Sequence, residues 1–255
     1  MRPRLITPIV AMAVLPVAIA GCGGSDTAAT STALPGRPLT RQEADLLAGV
    51  LYRNYQQGMG HFQAASIAGP QGGTMTLVGD VDYRNHQGHA RVYAPGGKDR
   101  VQEVLWDRSV VLEYRPGLVK AMQKVKPHAV LVARVPDRQH RRLDQVIEVV
   151  TALAAPKREN PQLIRQRLQS RFIRTDTLNG RQVDVLRYGP LTTVWVDPKT
   201  GTMLRFESSN KDKTAPIVVD LAKTSAKGIQ PPPPGAVVTA AALGDLWTTR
   251  GTTSP

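Results

Sequence analysis

The side chains able to do chemistry in this chain are few and scattered. There is one cysteine, Cys22, at the end of the run Ile19-Ala20-Gly21-Cys22. A lone thiol excludes an intramolecular disulfide, so the fold must rest on its core. The five histidines, His61, His86, His89, His128 and His140, have no cysteine companions. His86 and His89 lie beside Asn85 and Gln87, and a solvated turn explains that pair better than a metal ion. Asp80 and Asp82 share one face of an extended segment; at that spacing two carboxylates are more often solvated than an acid and base pair. Trp106, Trp195 and Trp247 are able to stack on a sugar or headgroup, but core packing explains the first two. There is no G-x-S-x-G, no H-E-x-x-H and no phosphate loop, and Gly96-Gly97-Lys98 lacks the spaced glycine and hydroxyl of a Walker motif. The sequence therefore predicts no catalytic residue, no metal, no cofactor and no enzyme.

The segment around Cys22 is more informative than the cysteine itself. Arg2 and Arg4 precede an uncharged apolar run over residues 5–20, and small residues stand at its exit. These are the parts of a secretory signal. With Pro8 and Pro16 inside it, the run falls short of the roughly 20 residues needed to span a bilayer. Ile19-Ala20-Gly21-Cys22 resembles the lipobox of bacterial lipoproteins. The resemblance implies cleavage before Cys22, a diacylglycerol thioether on its sulfur with palmitate-type chains, and anchoring to the outer face of the cytoplasmic membrane. Each buried CH₂ of such chains contributes about 0.8 kcal/mol. An ordinary cleaved signal with an incidental cysteine is the alternative. Residues 1–21 are thus a lipoprotein signal and 22–38 a Gly/Ser/Thr/Ala/Pro spacer. Residues 39–226 form the domain, and 227–255 a proline-rich tail.

The formal charge of +13 would suit a nucleic-acid partner, but few aromatics interleave with the basic residues. Anionic headgroups or acidic wall polymers are the natural counterparts outside the membrane. A general preference for surface arginine explains the charge equally well.

Local patterns supply the elements. Thr40-Arg41-Gln42-Glu43 is a capping box. It opens an amphipathic helix whose Leu47, Leu51 and Tyr55 repeat at helical spacing until Gly58 and Gly60. Residues 74–83 alternate, with Met75, Leu77, Val81 and Tyr83 on one face. Strand-like runs follow at 88–93, 100–106, 109–114 and 129–134, separated by short turns that favour antiparallel pairing. A helical stripe, Leu143, Val146, Ile147, Val150 and Leu153, ends at Pro156. Asn160-Pro161 then starts a second helix carrying Ile164 and Leu168, with Arg165, Arg167 and Arg171 on its wet side. Asn179-Gly180 signals a type I′ hairpin. Strands at 183–188, 192–196, 203–206 and 217–221 complete the set. Whether the tail with Pro231–Pro234 packs on the domain is left open.

About ten strands with segregated helices mean an α+β fold: a long antiparallel sheet curled into a half-barrel, with helices covering its concave side. This order, with residues 73–83, 176–183 and 193–205, resembles the LolA-like fold and its actinobacterial LppX/LprG-type lipoproteins. The last of these segments is similar to a W-V-D-x-x-T-G-x-x-x-R hairpin of that group. The resemblance covers residues 39–222. It implies an apolar cavity for acyl chains and a periplasmic or equivalent envelope role in the transport of lipids or lipoproteins, as a carrier or chaperone. Met75, Leu77, Val81, Tyr83, Leu112, Tyr114, Leu131 and Val185 are the candidate lining residues, expected to face the hollow or its covering helices. One-residue slips reverse such an assignment. The charged pairs Asp107-Arg108 and Glu113…Arg115 depart from a greasy lining. A monomer with acyl chains or a lipoprotein as partner, and no nucleic acid, is the leading reading. A regulatory sensor of envelope stress that binds a protein partner is the alternative. A dry hollow in the half-barrel favours the first; a filled interior with an apolar outer patch favours the second.

Overall fold

Helix α1 begins where the sequence requires. In the computed structural model, which describes residues 35–68, 73–94, 101–209 and 216–247, the Glu43 amide donates to Thr40 Oγ1 (3.2 Å) and the Thr40 amide to Glu43 Oε2 (2.8 Å). Arg37 adds an ion pair to the same carboxylate at 2.6 Å. The signal, Cys22, most of the spacer and the turn at residues 95–100 lie outside the described residues.

In chain order the elements are β1 (Arg37–Pro38), α1 (Arg41–Gln57), β2 (Met59–Ala68), β3 (Gly73–Asp82), β4 (Gln87–Tyr93), β5 (Glu103–Trp106) and β6 (Val111–Tyr114). Then come α2 (Val119–Val125), β7 (Leu131–Arg134), α3 (Arg142–Thr151), α4 (Pro161–Gln166), β8 (Arg171–Leu178) and β9 (Arg181–Gly189). β10 (Thr192–Val196), β11 (Met203–Ser208), β12 (Ile217–Ala222) and β13 (Val237–Thr239) finish the chain. Among the described residues, thirteen strands form one sheet in the order β1-β8-β9-β10-β11-β12-β2-β3-β4-β5-β6-β7-β13. Every pairing is antiparallel except β7 with β13. The sheet does not close. Its edges are the two-residue β1 and the three-residue β13, and such short edges resist pairing with other chains. The α+β half-barrel is therefore the observed architecture.

One face carries the main core. Phe62 and Ala64 on β2, Leu77 and Val81 on β3 and Val104 on β5 are fully buried against α1 and α3, which bring Leu47, Val50, Val146 and Val150. The α3 stripe is buried throughout, from Leu143 to Leu153. Trp106 lies edge-on to Phe62 and donates to the Thr151 hydroxyl at 3.1 Å. Asn179 and Gly180 have φ of 51° and 74°, the two positive values a type I′ turn needs.

Several segments differ from expectation. The central strand β2 has no sequence signal, because its inward positions are Gly60, Phe62, Ala64 and Ser66. Small residues there let helices approach the sheet but give a weak strand pattern. Helix α4 stops at Gln166, since Arg167 is already extended. Leu168 is 79% exposed, and Arg171 starts β8 rather than lining a helix. The short helix α2 also went unread. The tail does pack back, through β13 and a 3-10 turn over Ala240–Leu243.

Candidate functional site

The outer face of β5–β7 alternates out of phase with the core. Glu103 and Leu105, Leu112 and Tyr114, and Leu131 point away from the helices, while Val104, Trp106, Val111 and Val132 point in. Residues 226–233 cross this outer face as a strap. Its far end is tied down by the Ala236 carbonyl, which accepts from the Val130 and Leu131 amides at 2.9 Å each. Beyond it, Val238 and Leu243 join Leu118, Met122, Ala129 and Val132 in a small second core. A groove of about 560 Å³ remains between strap and sheet. Leu105, Tyr114 and Leu131 form its floor, and Ile229, Pro232 and Pro233 its roof. A second hollow of about 350 Å³ shares Leu105 and Ile229 and continues to Leu112 and Val110.

One end of the groove is polar. Asp80, His89 and Glu103 stand there. His61 Nδ1 lies 3.1 Å from Asp80 Oδ1, and the Thr224 hydroxyl donates to the same oxygen at 2.7 Å. His89 pairs with Glu103. The carboxylate thus sits between imidazole and hydroxyl. A nucleophile relay needs the imidazole in the middle, so this set cannot activate Thr224. Asp82 is occupied in capping a turn, accepting from the Arg84 and Asn85 amides. Among the described residues no cluster of three or more metal-ligating side chains forms.

The inner face changes character where the groove lies behind it. Glu113 is fully buried and takes Arg115 Nε at 2.8 Å, Arg134 Nε at 2.5 Å and Arg141 Nη2 at 3.0 Å. Arg134 also grips both oxygens of Asp144 on α3, at 2.5 and 2.6 Å. The Trp247 ring covers Arg115 at 5.1 Å and Arg141 at 5.8 Å. Three guanidinium groups lie around two carboxylates, and the Trp247 ring face adds cation–π contacts to two of them. Burial pushes Glu113 up, but Arg134, Arg115 and Arg141 outweigh it and hold its carboxyl below the usual range. Burial lowers Arg134, but Asp144 and Glu113 outweigh it and raise its pKa.

The eight residues read from the sequence as one lining occupy two faces. Met75, Leu77, Val81 and Tyr83 are at most 4% exposed and sit in the helix-covered core. Leu112, Tyr114 and Leu131 meet at the outer grooves. Val185 packs with Val183, Trp195 and Leu204 in a separate outer cluster. Their expected inward orientation is corrected for these four. The reason is visible on β6: hydrophobicity favours turning Leu112 and Tyr114 in, yet Val111 and Glu113 are inside because arginines neutralise the glutamate. Leu105 and the strap residues went unrecognised. The alternation at 100–106 and the proline run were their only signals.

No family model matches the chain, and no curated protein matches it. Solved structures that are similar include LprF from Mycobacterium bovis, at 12% identity over 79% of this chain and 100% of that one, with a TM-score of 0.44. Another is the MucA/MucB complex of Pseudomonas aeruginosa, at 12% identity over 73% of this chain and 59% of that one, TM-score 0.34. A putative outer membrane lipoprotein-sorting protein domain from Vibrio parahaemolyticus matches at 10% identity over 68% and 86%, TM-score 0.20. The architecture itself, a long curled sheet with helices on one face, is the one a LolA-like fold implies.

Proposed function

We propose that this chain is a monomeric cell-envelope lipoprotein that holds an acyl chain of a lipid or lipoprotein, as a carrier or chaperone. The acyl chain lies in the groove between the outer face of β5–β7 and the proline strap. The observation that carries this reading is the groove itself. About 560 Å³ walled by Leu105, Tyr114, Leu131, Ile229 and prolines falls within the roughly 300–1,000 Å³ of ligand sites. The envelope location rests on the lipobox at Cys22. No described helix is long and apolar enough to cross a membrane; in this reading a lipid on Cys22 is the anchor. It includes no catalytic step, in keeping with the order of His61, Asp80 and Thr224.

A protein partner is the second reading, favoured by the apolar outer face of β5–β7. Fluorescent-lipid titration of the purified protein separates the two. A Leu105→Trp, Leu131→Trp variant fills the groove from its floor and is expected to lose lipid uptake. Uptake that persists in this variant, with an unchanged melting profile, rules out the groove as the acyl site. Mass spectrometry of organic extracts then reports whether any lipid copurifies. For the anchor, a Cys22→Ala protein that still partitions into detergent like the parent rejects the lipoprotein assignment.

A further inference from the structure

The chain enters the domain at the β1 edge of the sheet. Arg37 and Pro38 pair with Phe172 and Arg171, and the Arg37 guanidinium lies 4.0 Å from the centre of the Phe172 ring. Gly36 fits against the same place: a Cβ on it would stand 2.2 Å from the Phe172 carbonyl oxygen. The segment that leads back to Cys22 therefore joins the domain beside the start of β8. Even fully extended, residues 22–36 span about 50 Å at most.

The surface just ahead of that point in the chain is both basic and apolar. Residues 156–170 lead from α3 through α4 towards β8, and of these only Ile164 and Ser170 are buried. Ile164 plugs the segment into the main core, and the Glu159 amide ties it to α1 by donating to the Ala48 carbonyl at 3.0 Å. Left outside are Leu163, 56% exposed, and Leu168, 79% exposed. The same stretch carries Lys157, Arg158, Arg165 and Arg167, with Arg171 following. The acids beside it are committed: Glu159 pairs with Arg167 at 3.3 Å, and Asp45 on α1 with Arg158 at 2.6 Å. Among the described residues no ion pair holds Lys157 or Arg165. Exposed leucines among cations suit the boundary of an anionic bilayer, where apolar side chains enter the headgroup layer and cations meet phosphate.

We propose that this face, from Lys157 through α4 to Arg171, rests on an anionic membrane surface, with Leu163 and Leu168 in the headgroup layer and Lys157 and Arg165 against the lipid phosphates. The proposal deepens the lipid-anchored reading and rests on it. A lipid on Cys22 would hold the domain by the edge next to this face, so this is the face that the tether delivers to the bilayer.

An environment-sensitive dye on a Leu168→Cys chain tests the contact, with a Val125→Cys chain as control. Val125 is also exposed, at 50%, but it ends α2, whose Met122 packs with Val132 of β7 and Val238 of β13 at the other edge of the sheet. The probes are vesicles of phosphatidylglycerol or of phosphatidylcholine, each carrying a nitroxide-labelled lipid as quencher. In phosphatidylglycerol the dye at 168 is expected to be quenched and the dye at 125 to emit as it does in water. Lys157→Gln with Arg165→Gln should weaken the contact about tenfold or more and bring it to the phosphatidylcholine level. Both side chains are exposed, so the melting temperature should hold. Thiol labelling of the parent chain reports on the anchor separately, since an acylated Cys22 does not react. If Cys22 reacts, the anchor reading fails, and the same dyes on a Cys22→Ala chain still decide the surface. Absent quenching at 168, equal quenching at 125, or equal quenching in the two lipids overturns the proposal. So does a change at 168 that grows with protein concentration before vesicles are added, which would mark a second copy of the chain on this face.

Discussion

The two faces of the sheet are covered by different means, and the difference explains where space remains. On one face, α1 and α3 press side chains into the sheet, so Leu47, Leu77, Val146 and Val150 are at most 1% exposed. On the other, a proline-rich strap crosses β5–β7. Polyproline chain has no internal hydrogen bonds and presents stiff rings rather than long interlocking side chains. It covers Leu105, Tyr114 and Leu131 without filling the volume above them. Space remains beside the helices as well, where Trp106, Val111, Ile147 and Thr151 border a hollow of about 370 Å³, but the strap leaves the larger groove of about 560 Å³. The charged cluster lies at the boundary, where β6 and β7 carry Glu113 and Arg134 inward and the tail returns to lay Trp247 over the arginines.

Variants can break this contrast. The largest effect is expected at Glu113. Glu113→Leu leaves Arg115, Arg134 and Arg141 buried with too little negative charge, and should cost about 3–5 kcal/mol in urea unfolding. A loss below about 1 kcal/mol would mean that the arginines reach water after all. Acid should act in the same direction on the parent. Glu113 has a lowered pKa in the fold, so its contribution is complete above the ordinary carboxylate range and is lost as pH falls through the lowered value. The Glu113→Leu protein should show a shallower loss of stability over that acid range.

Leu77→Ala comes next, at about 2–5 kcal/mol for a fully buried leucine. Leu112→Ala, on the half-buried outer face, should cost about 1 kcal/mol or less. Lipid binding should respond in the opposite order, unaffected by Leu77→Ala in folded protein and weakened by Leu112→Ala. Equal stability costs would erase the distinction between the faces. Gly180→Val should cost roughly 1–3 kcal/mol, because a β-branched residue is strained at φ of 74°. There is nothing within 4 Å of a Cβ at that site, so the whole penalty is conformational, and an unchanged melting temperature would remove the type I′ turn from the account. A similarly small effect is expected for Trp247→Ala, about 1 kcal/mol from the lost cation–π contacts. Thermal unfolding should register it, together with easier proteolysis of the tail.

Much of the fold could be read from short stretches of sequence. Thr40 and Glu43 start α1, Asn160 and Pro161 start α4, and Asn179-Gly180 turns β8 into β9, because each signal acts between residues a few positions apart. The alternation at 74–83 and the stripe from Leu143 to Leu153 mark a strand and a helix for the same reason. What lay beyond the sequence was decided by residues far away along the chain. β2 is a strand because β12 and β3 flank it, not because Gly60, Ala64 and Ser66 favour one. The tail becomes β13 because β7 offers an edge, and the strap covers the outer face as a consequence. Tyr83 was legible as a core residue, but a pocket it borders depends on two hairpin turns and the end of β12 meeting beside α1. Above all, Glu113 faces inward and Leu112 outward, against their hydrophobicity. Arginines from β7 and from the start of α3 stabilise the buried carboxylate, and only the tertiary fold brings those charges to it.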